Sequence, residues 1–201
     1  MKINKRTAKQ IIHQAGKFGG LNLTTIGMII FGFSLGVGFE EINGIGTWHS
    51  YHAATDKINV CFTPPAGCGN LIAIEIAKAT KSIYMQAYGM TSNSIARELI
   101  KAKARGLRVG ILLDSSNLDS NSSKMQELIN AGIEVKIDKL PGIAHNKVII
   151  IDKQKVITGS FNFTNAADNM NAENVILVDD ANIASTYLQN WLQRKAKVVS
   201  R

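Results

Sequence analysis

From Lys57 onward, short apolar stretches of strand character alternate with longer stretches of helical periodicity. The strand-like stretches are 57–62, 82–88, 107–114, 133–138 and 173–180, and the helical ones are 70–80, 92–106, 122–132 and 181–197. This alternation is typical of an α/β fold in which helices cover both faces of a sheet. Residues 145–163 add a hairpin, two apolar strands around a charged turn. We therefore predict a mixed sheet rather than a purely parallel one.

Residues 18–39 form a stretch of 22 residues without a charged side chain. About 20 residues suffice to cross a bilayer. Basic residues precede the stretch and Glu40 and Glu41 follow it, so the positive-inside rule places the remainder of the chain outside the cytoplasm. A cleaved signal peptide and a buried core helix are the alternatives. We expect an exported protein, periplasmic and anchored in the inner membrane, or secreted if the segment is cleaved.

These patterns divide the chain into three parts. Residues 1–39 are a basic N-terminus with a signal-anchor or signal peptide, 40–56 are a linker, and 57–201 are the folded domain. Cys61 and Cys68 flank the sequence FTPPAG, whose prolines and glycine favour a turn. An oxidising compartment would permit a disulfide between them, and two free thiols are the alternative. A bridge closing so small a loop would contribute about 2–3 kcal/mol in the chain-entropy model.

The formal net charge is +8, which makes an anionic partner plausible: nucleic acid, or a membrane surface with acidic lipids. Five of the basic residues lie within residues 1–20, which carry no acidic residue. The folded domain is therefore only mildly basic. Four basic residues could contribute to a phosphate-binding face, although lysines on a helix are usually just its solvated side; they are Arg97, Lys101, Arg105 and Arg108.

The hairpin carries polar residues at paired spacing. His145 and Lys147 are two apart and share a face of their strand, and so do Ser160 and Asn162. If the turn centres on 153–154, Lys147 lies opposite Ser160 and His145 opposite Asn162, with Cβ atoms about 5 Å apart. Such a group suits a tetrahedral phosphorus centre. An imidazole can attack the phosphorus or protonate a leaving oxygen, while an ammonium and an amide hold the non-bridging oxygens.

The hairpin also resembles a known family. His145-x-Lys147, Asp152 after four residues, and Gly159-Ser160-x-Asn162 after six more match the signature of the phospholipase D superfamily over 18 positions. The stretches FTPP, GSFNFT and NAEN are similar to those of its small bacterial nucleases. The resemblance covers about residues 57–195, so 57–201 would be a phospholipase D-like catalytic domain.

The resemblance implies a metal-independent phosphodiesterase, with no cofactor, that acts through a phosphohistidine. His145 would be the nucleophile or general acid, Lys147 and Asn162 would bind phosphate oxygens, and Ser160 would assist. Glu173, in NAEN, matches the acid that orients the imidazole. Asp152 belongs to the motif and is a candidate catalytic residue on that ground. Strand alternation nevertheless puts it on the face opposite His145, so we expect it to fix the hairpin rather than touch substrate.

Larger members of the superfamily carry two copies of the motif, whereas this chain has four histidines and only His145 is followed two positions later by a lysine. A two-histidine mechanism therefore implies a homodimer with the active site at the two-fold interface. Two hypotheses for the substrate remain, with an endonuclease as the first and a phospholipase D as the alternative. An endonuclease acting on DNA or RNA is favoured by the single-motif form and the basic charge. A phospholipase D acting on phosphatidylcholine-type lipid is favoured by the apolar N-terminus. A non-catalytic protein on this scaffold is a third, which the intact motif argues against.

Overall fold

The computed structural model of the chain describes residues 51–199 apart from Asp56 and Ala66. The expected anchor and the first part of the expected linker lie outside these residues. Within the described part, no helix is both long and apolar enough to cross a membrane.

Eight strands form one mixed sheet in the order β1-β2-β8-β7-β6-β3-β4-β5. The strands are β1 (Tyr51–Thr55), β2 (Ile58–Thr63), β3 (Ser82–Ala87), β4 (Arg108–Leu113), β5 (Glu134–Ile137), β6 (Lys147–Ile151), β7 (Lys155–Gly159) and β8 (Glu173–Asp179). The pairs β3–β4 and β4–β5 are parallel, and the remaining pairs are antiparallel. The predicted mixed sheet is thus confirmed. The sheet begins at Tyr51, before Lys57, where the sequence placed the start of the domain.

Within the described part of the chain, five α-helices cover the sheet: α1 (Cys68–Lys78), α2 (Asn93–Ala104), α3 (Met125–Asn130), α4 (Asn165–Asn169) and α5 (Ala181–Val199). Side-chain caps set three of their starts. At the start of α5 the Asp180 carboxylate accepts hydrogen bonds from the Asn182 and Ile183 amides. The Ser92 hydroxyl accepts a hydrogen bond from the Ile95 amide at the start of α2, and the Thr164 hydroxyl accepts one from the Ala167 amide at the start of α4. Gly106, with φ of 89°, follows the C-terminal end of α2.

Two apolar layers hold these helices to opposite faces of the sheet. On one face Ile72, Ile95 and Leu128, from α1, α2 and α3, belong to the same buried cluster as Met85 and Ile149 of the sheet. On the other face, Trp191 of α5 packs with Tyr84, Val148 and Ile150, and its indole N–H donates to the Met85 carbonyl at 3.0 Å. Burial of one large aliphatic side chain stabilises the fold by about 1.5–3 kcal/mol. Strands β3 and β6 are buried on both faces, which explains why apolar residues follow one another at 83–85 and 148–151 instead of alternating with polar ones.

One edge of the sheet collects several strand ends. We call it the site edge: β3 ends there at Ala87, β6 begins at Lys147, β7 ends at Gly159 and β8 begins at Glu173. The parallel strands β4 and β5 also end on this side, which is where open α/β sheets place their ligands.

Candidate functional site

The catalytic hairpin predicted from the sequence is formed by β6 and β7, but its register differs from the prediction. Val148 pairs with Thr158 and Ile151 with Lys155. The predicted pairing of Lys147 with Ser160 is therefore wrong by one residue. The cause is a three-residue turn, 152–154, in which Asp152 and Lys153 both have positive φ and the Gln154 amide donates to the Ile151 carbonyl at 2.9 Å. An odd number of turn residues moves the pairing by one position.

A second irregularity lies at the end of β7, in its pairing with β8. The amides of Ser160 and Phe161 both donate to the carbonyl of Asn174, at 3.1 and 3.3 Å, so that two residues oppose one, as in a β-bulge. Gly159, with φ of 146°, begins the irregularity, and a Cβ there would lie 2.2 Å from the Asn174 oxygen. The bulge breaks strand alternation, and the Ser160 hydroxyl contacts Glu173 and Asn174 at the start of β8.

Ser160 and Glu173 form a compact polar group at the site edge. The Ser160 hydroxyl donates to Glu173 Oε2 at 2.5 Å and accepts from the amide and side chain of Asn174 at 3.0 and 3.2 Å. Glu173 Oε1 accepts from the Asn171 side chain at 3.0 Å. Both carboxylate oxygens are thus engaged, and no hydrogen bond within the described residues joins Glu173 to the His145 imidazole. The expected orienting contact is therefore not made within this one chain.

Lys147 lies at the first position of β6 and is buried, whereas His145, two residues earlier, is exposed. The Lys147 ammonium donates to the His145 carbonyl at 2.9 Å and lies 5.2 Å from the ring centroid of Tyr88. Burial lowers the pKa of Lys147, and the negative charge of Glu173 opposes that effect by favouring the ammonium. The Tyr88 ring also meets the His145 ring edge-on, with centroids 4.8 Å apart.

The backbone on both sides of His145 is held by hydrogen bonds. The buried carboxylate of Asp114 accepts from the Ala144 amide at 2.7 Å, and the Tyr88 amide donates to the Asn146 carbonyl at 3.0 Å. Asn117 connects Tyr88 with Asp114, because its side-chain amide donates to their carbonyls at 2.6 and 3.1 Å. Hydrogen bonds from the amides of Ser116 and Ala144 lower the pKa of Asp114 against the opposing effect of its burial, so the carboxylate stays charged.

Asn162 is flanked in the sequence by Phe161 and Phe163, whose side chains are both buried. Its Oδ1 atom is buried and makes no hydrogen bond within the described residues. An unsatisfied buried acceptor costs about 1–3 kcal/mol, and such groups are frequent at functional sites. The amide nitrogen of the same side chain is a donor of the kind that phosphate oxygens accept.

Asp152 lies apart from this group. It is at the far end of β6 from Lys147, about 16 Å along the strand. Its carboxylate accepts four hydrogen bonds, from the amides of residues 80–82 and the Thr80 hydroxyl, at 2.7–2.9 Å. These bonds lower its pKa against the effect of desolvation. Asp152 thus joins the hairpin turn to the start of β3, which is the structural position expected for it.

The four basic residues considered for a phosphate-binding face make local contacts or lie at the other end of the sheet. Arg97 and Lys101 both contact Glu98, at 3.6 and 2.9 Å, and Arg105 donates to the Ala79 carbonyl at 3.2 Å. Arg108 begins β4, about 17 Å along the strand from the site edge. A phosphate-binding face made by these residues stays a prediction.

Sequence reasoning missed Tyr88, Asp114 and Asn117. Each follows the end of a parallel strand, β3 or β4, on the side of the site edge. The rule that ligands bind beyond the carboxyl ends of parallel strands was the signal that could have found them. Cys61 and Cys68 are joined by a disulfide, with Cα atoms 5.8 Å apart, which ties β2 to the start of α1. No group of three or more His, Cys, Asp and Glu side chains within 51–199 is arranged to hold a metal ion.

Comparison with known proteins places this geometry in a family. Residues 72–195 match the model of the family described as cardiolipin synthase, PLD-like domain. A protein of Rickettsia conorii named phospholipase D is 65% identical over 140 residues, which are 70% of this chain and 70% of that protein. Human mitochondrial cardiolipin hydrolase is 33% identical over 56% of this chain and 45% of its own length.

The fold has a close counterpart among solved structures. The phospholipase D family member Nuc from Salmonella typhimurium superimposes with a TM-score of 0.66 at 34% identity, covering 69% of this chain and 93% of Nuc. The residues matched by the family model, 72–195, include the β6–β7 hairpin and the ends of β3 and β8 at the site edge. The chain therefore belongs to the phospholipase D superfamily and is a phosphodiesterase.

Proposed function

We propose that the chain hydrolyses phosphodiester bonds through a covalent phosphohistidine at His145, without a metal ion. The observation that carries this proposal is the pairing of an exposed imidazole with a buried ammonium, Lys147, on one short segment of the site edge. An accessible nucleophile beside a fixed positive charge is what attack on an anionic phosphodiester requires.

The reaction has two steps. In the first, an imidazole nitrogen of His145 forms a bond to phosphorus, the bond from phosphorus to the leaving oxygen breaks, and that oxygen takes a proton from a general acid. In the second, water attacks the phosphorus as the P–N bond breaks, and the water proton returns to the acid. Lys147 and the amide nitrogen of Asn162 hold the non-bridging oxygens, and Ser160 assists through its bond to Glu173.

The general acid is proposed to be His145 of a second copy in a two-fold dimer. Each chain supplies one such histidine. The site edge also carries exposed apolar side chains suited to an interface: Met170 is 83% exposed, Ile143 is 57% and Phe62 is 48%. These residues lie in the loop before β8, in the loop before His145 and at the end of β2.

Random pairing of subunits tests the shared site. Wild-type protein is refolded with an equal amount of His145→Ala protein, and chromatography checks that dimers have mixed. If each site needs both histidines, only wild-type pairs turn over, and about a quarter of the all-wild-type activity remains. Retention of about half, with mixing verified, would show that one His145 suffices.

For the substrate, we propose a phospholipid, which reverses the order of the two hypotheses from the sequence. The relatives at 62–65% identity are named phospholipase D. Of the basic residues considered for nucleic-acid binding, Arg97 and Lys101 contact Glu98, and Arg108 lies at the far end of β4 from the site edge. Nucleic acid is the second candidate, favoured by the net charge of +8 and by the likeness to Nuc.

One pair of assays tests both the substrate and the chemistry. Purified protein is incubated with phosphatidylcholine vesicles and, separately, with plasmid DNA, each in excess EDTA. Choline release supports the lipid proposal and DNA nicking supports the second candidate. Loss of all turnover in EDTA, restored by magnesium or zinc, would overturn the metal-independent mechanism. His145→Ala protein should be inactive in both assays and should melt at the wild-type temperature, because His145 is exposed.

A further inference from the structure

We infer that Tyr88 is a positioning residue that holds His145 and Lys147 in their reactive arrangement. The inference rests on the proposed role of these two residues in phosphodiester hydrolysis. The Tyr88 ring contacts both side chains.

The first contact is with the cation. The Lys147 ammonium lies 5.2 Å from the centroid of the Tyr88 ring, within the roughly 6 Å at which a ring attracts a cation. Lys147 is only 7% exposed, and its single hydrogen bond among the described residues goes to the His145 carbonyl. A buried ammonium with one acceptor is poorly solvated. The negative ring face of Tyr88 and the carboxylate of Glu173 together replace the water that it has lost.

The second contact is with the nucleophile. The Tyr88 and His145 rings are 4.8 Å apart with an angle of 61° between their planes, which is the edge-to-face arrangement that aromatic pairs prefer. The His145 side chain is exposed, and no hydrogen bond to it is found within the described residues. The ring contact is therefore what restricts its rotamer before substrate binds.

The third point is that Tyr88 is itself fixed. Its amide donates to the Asn146 carbonyl and its carbonyl accepts from Asn117, so its backbone is bonded on both sides. Asn117 is in turn held by the Ser123 hydroxyl at 3.0 Å. The ring thus projects from a backbone tied to the residue that follows His145, and it moves with the nucleophile rather than independently of it.

The ring, not the hydroxyl, makes these contacts. The Tyr88 hydroxyl has no hydrogen-bond partner within the described residues, so Tyr88→Phe should keep kcat within about threefold of wild type. Tyr88→Met keeps an apolar side chain of similar length but removes the ring. We expect its kcat to fall roughly 3- to 30-fold, the equivalent of one lost cation–π contact, with a smaller change in KM.

The pH profile separates positioning from a general loss of structure. The groups around the Lys147 ammonium are Glu173 from β8, the His145 carbonyl and the Tyr88 ring. Activity requires Lys147 to be charged and is lost as the pH rises through its pKa. Removing the ring lowers that pKa further, so the alkaline limb of the kcat profile of Tyr88→Met should move to lower pH. A merely structural defect would reduce kcat at every pH equally.

The matched control is Tyr187→Met. Tyr187 is also half-buried, but it lies on α5 against the opposite face of the sheet. It should lose stability without any change in kcat per folded molecule or in the pH profile.

A fluorination series keeps the test decisive if Tyr88→Met does not fold. Position 88 is filled with phenylalanine and then with phenylalanine carrying one, two and three ring fluorines, which weaken the negative ring face with little change in volume. The alkaline limb should shift to lower pH with each fluorine. If wild type turns over and the alkaline limb does not move along the fluorinated series, the inference is overturned. A Tyr88→Met variant with the kcat and pH profile of wild type would overturn it too. Absence of wild-type turnover on either phosphodiester would instead overturn the proposed function.

Discussion

Replacing Gly159 with alanine should damage both the stability and the activity of the enzyme, because this glycine allows the bulge that aligns Ser160 with Glu173. An added Cβ would lie 2.2 Å from the Asn174 carbonyl oxygen, closer than such atoms approach in proteins, and the backbone φ of 146° is strained for any L side chain. The strained φ costs about 1–3 kcal/mol. Overpacking against a backbone atom adds about 1–3 kcal/mol, since no flexible side chain can yield.

Two other glycines separate these contributions. Gly106 has φ of 89° and nothing within 4 Å of an added Cβ, so Gly106→Ala reports the conformational strain alone, about 1–2 kcal/mol. Gly142 has neither a positive φ nor a neighbour within 4 Å, and Gly142→Ala should change the free energy of unfolding by less than about 0.5 kcal/mol. The expected order of destabilisation is Gly159→Ala, then Gly106→Ala, then Gly142→Ala.

Urea unfolding of the three variants measures this order, and phosphodiester turnover per folded molecule measures the effect on the site. A shift of the Ser160 backbone away from the Asn174 carbonyl would displace the Ser160 hydroxyl from Glu173, so Gly159→Ala should lose roughly ten- to a hundredfold in kcat. Gly106→Ala should keep full activity. If Gly159→Ala unfolds at the same urea concentration as Gly106→Ala, the clash with Asn174 contributes nothing and the argument from the bulge fails.

Two further predictions concern stability. Asp152→Asn should lower the free energy of unfolding at pH 7 by about 1–3 kcal/mol, because the carboxylate loses charge-assisted bonds to residues 80–82, while kcat per folded molecule stays unchanged. The pKa of Asp152 is lowered in the folded state, so its contribution to the free energy of unfolding is full above the unfolded pKa and disappears as the pH falls through the folded one. The melting temperatures of wild type and Asp152→Asn should therefore converge between neutral and acid pH. A loss of kcat in folded Asp152→Asn would contradict a purely structural role. Reduction of the Cys61–Cys68 disulfide should lower the free energy of unfolding by about 2–3 kcal/mol without altering turnover. Thermal melts with and without reductant measure the change. Identical melts would show that the bridge does not stabilise the domain.

Much of the fold could be predicted from the sequence because periodicity reports burial directly. The alternation of strand and helix is reproduced, with boundaries displaced by a few residues at most; α1, for example, begins at Cys68 rather than residue 70. Strand β1 was missed because its sequence, YHAAT, contains no clear apolar alternation, and pairing with β2 creates the strand.

The candidate site was predictable in its residues but not in its geometry. His145, Lys147 and Ser160 are recognisable from their spacing. The hairpin register was not, because it depends on two left-handed residues in the turn, and the place of Ser160 depends on the bulge after Gly159. Tyr88 could not be found by spacing at all. It reaches Lys147 only because β3 pairs with β6, a contact between segments about sixty residues apart.

The place of β8 in the sheet has a consequence for how the enzyme is made. Among the described strands, β1 and β2 are bonded to the other six only through β8, which is the last of them in the chain. During synthesis β2 therefore leaves the ribosome more than a hundred residues before the strand that joins it to the hairpin. Contacts between such distant segments form slowly, and the unpaired edges of β2 and β7 are open to other chains meanwhile. Glu173 stands at the first position of β8, so its hydrogen bond with Ser160 cannot form before β8 has paired with β7.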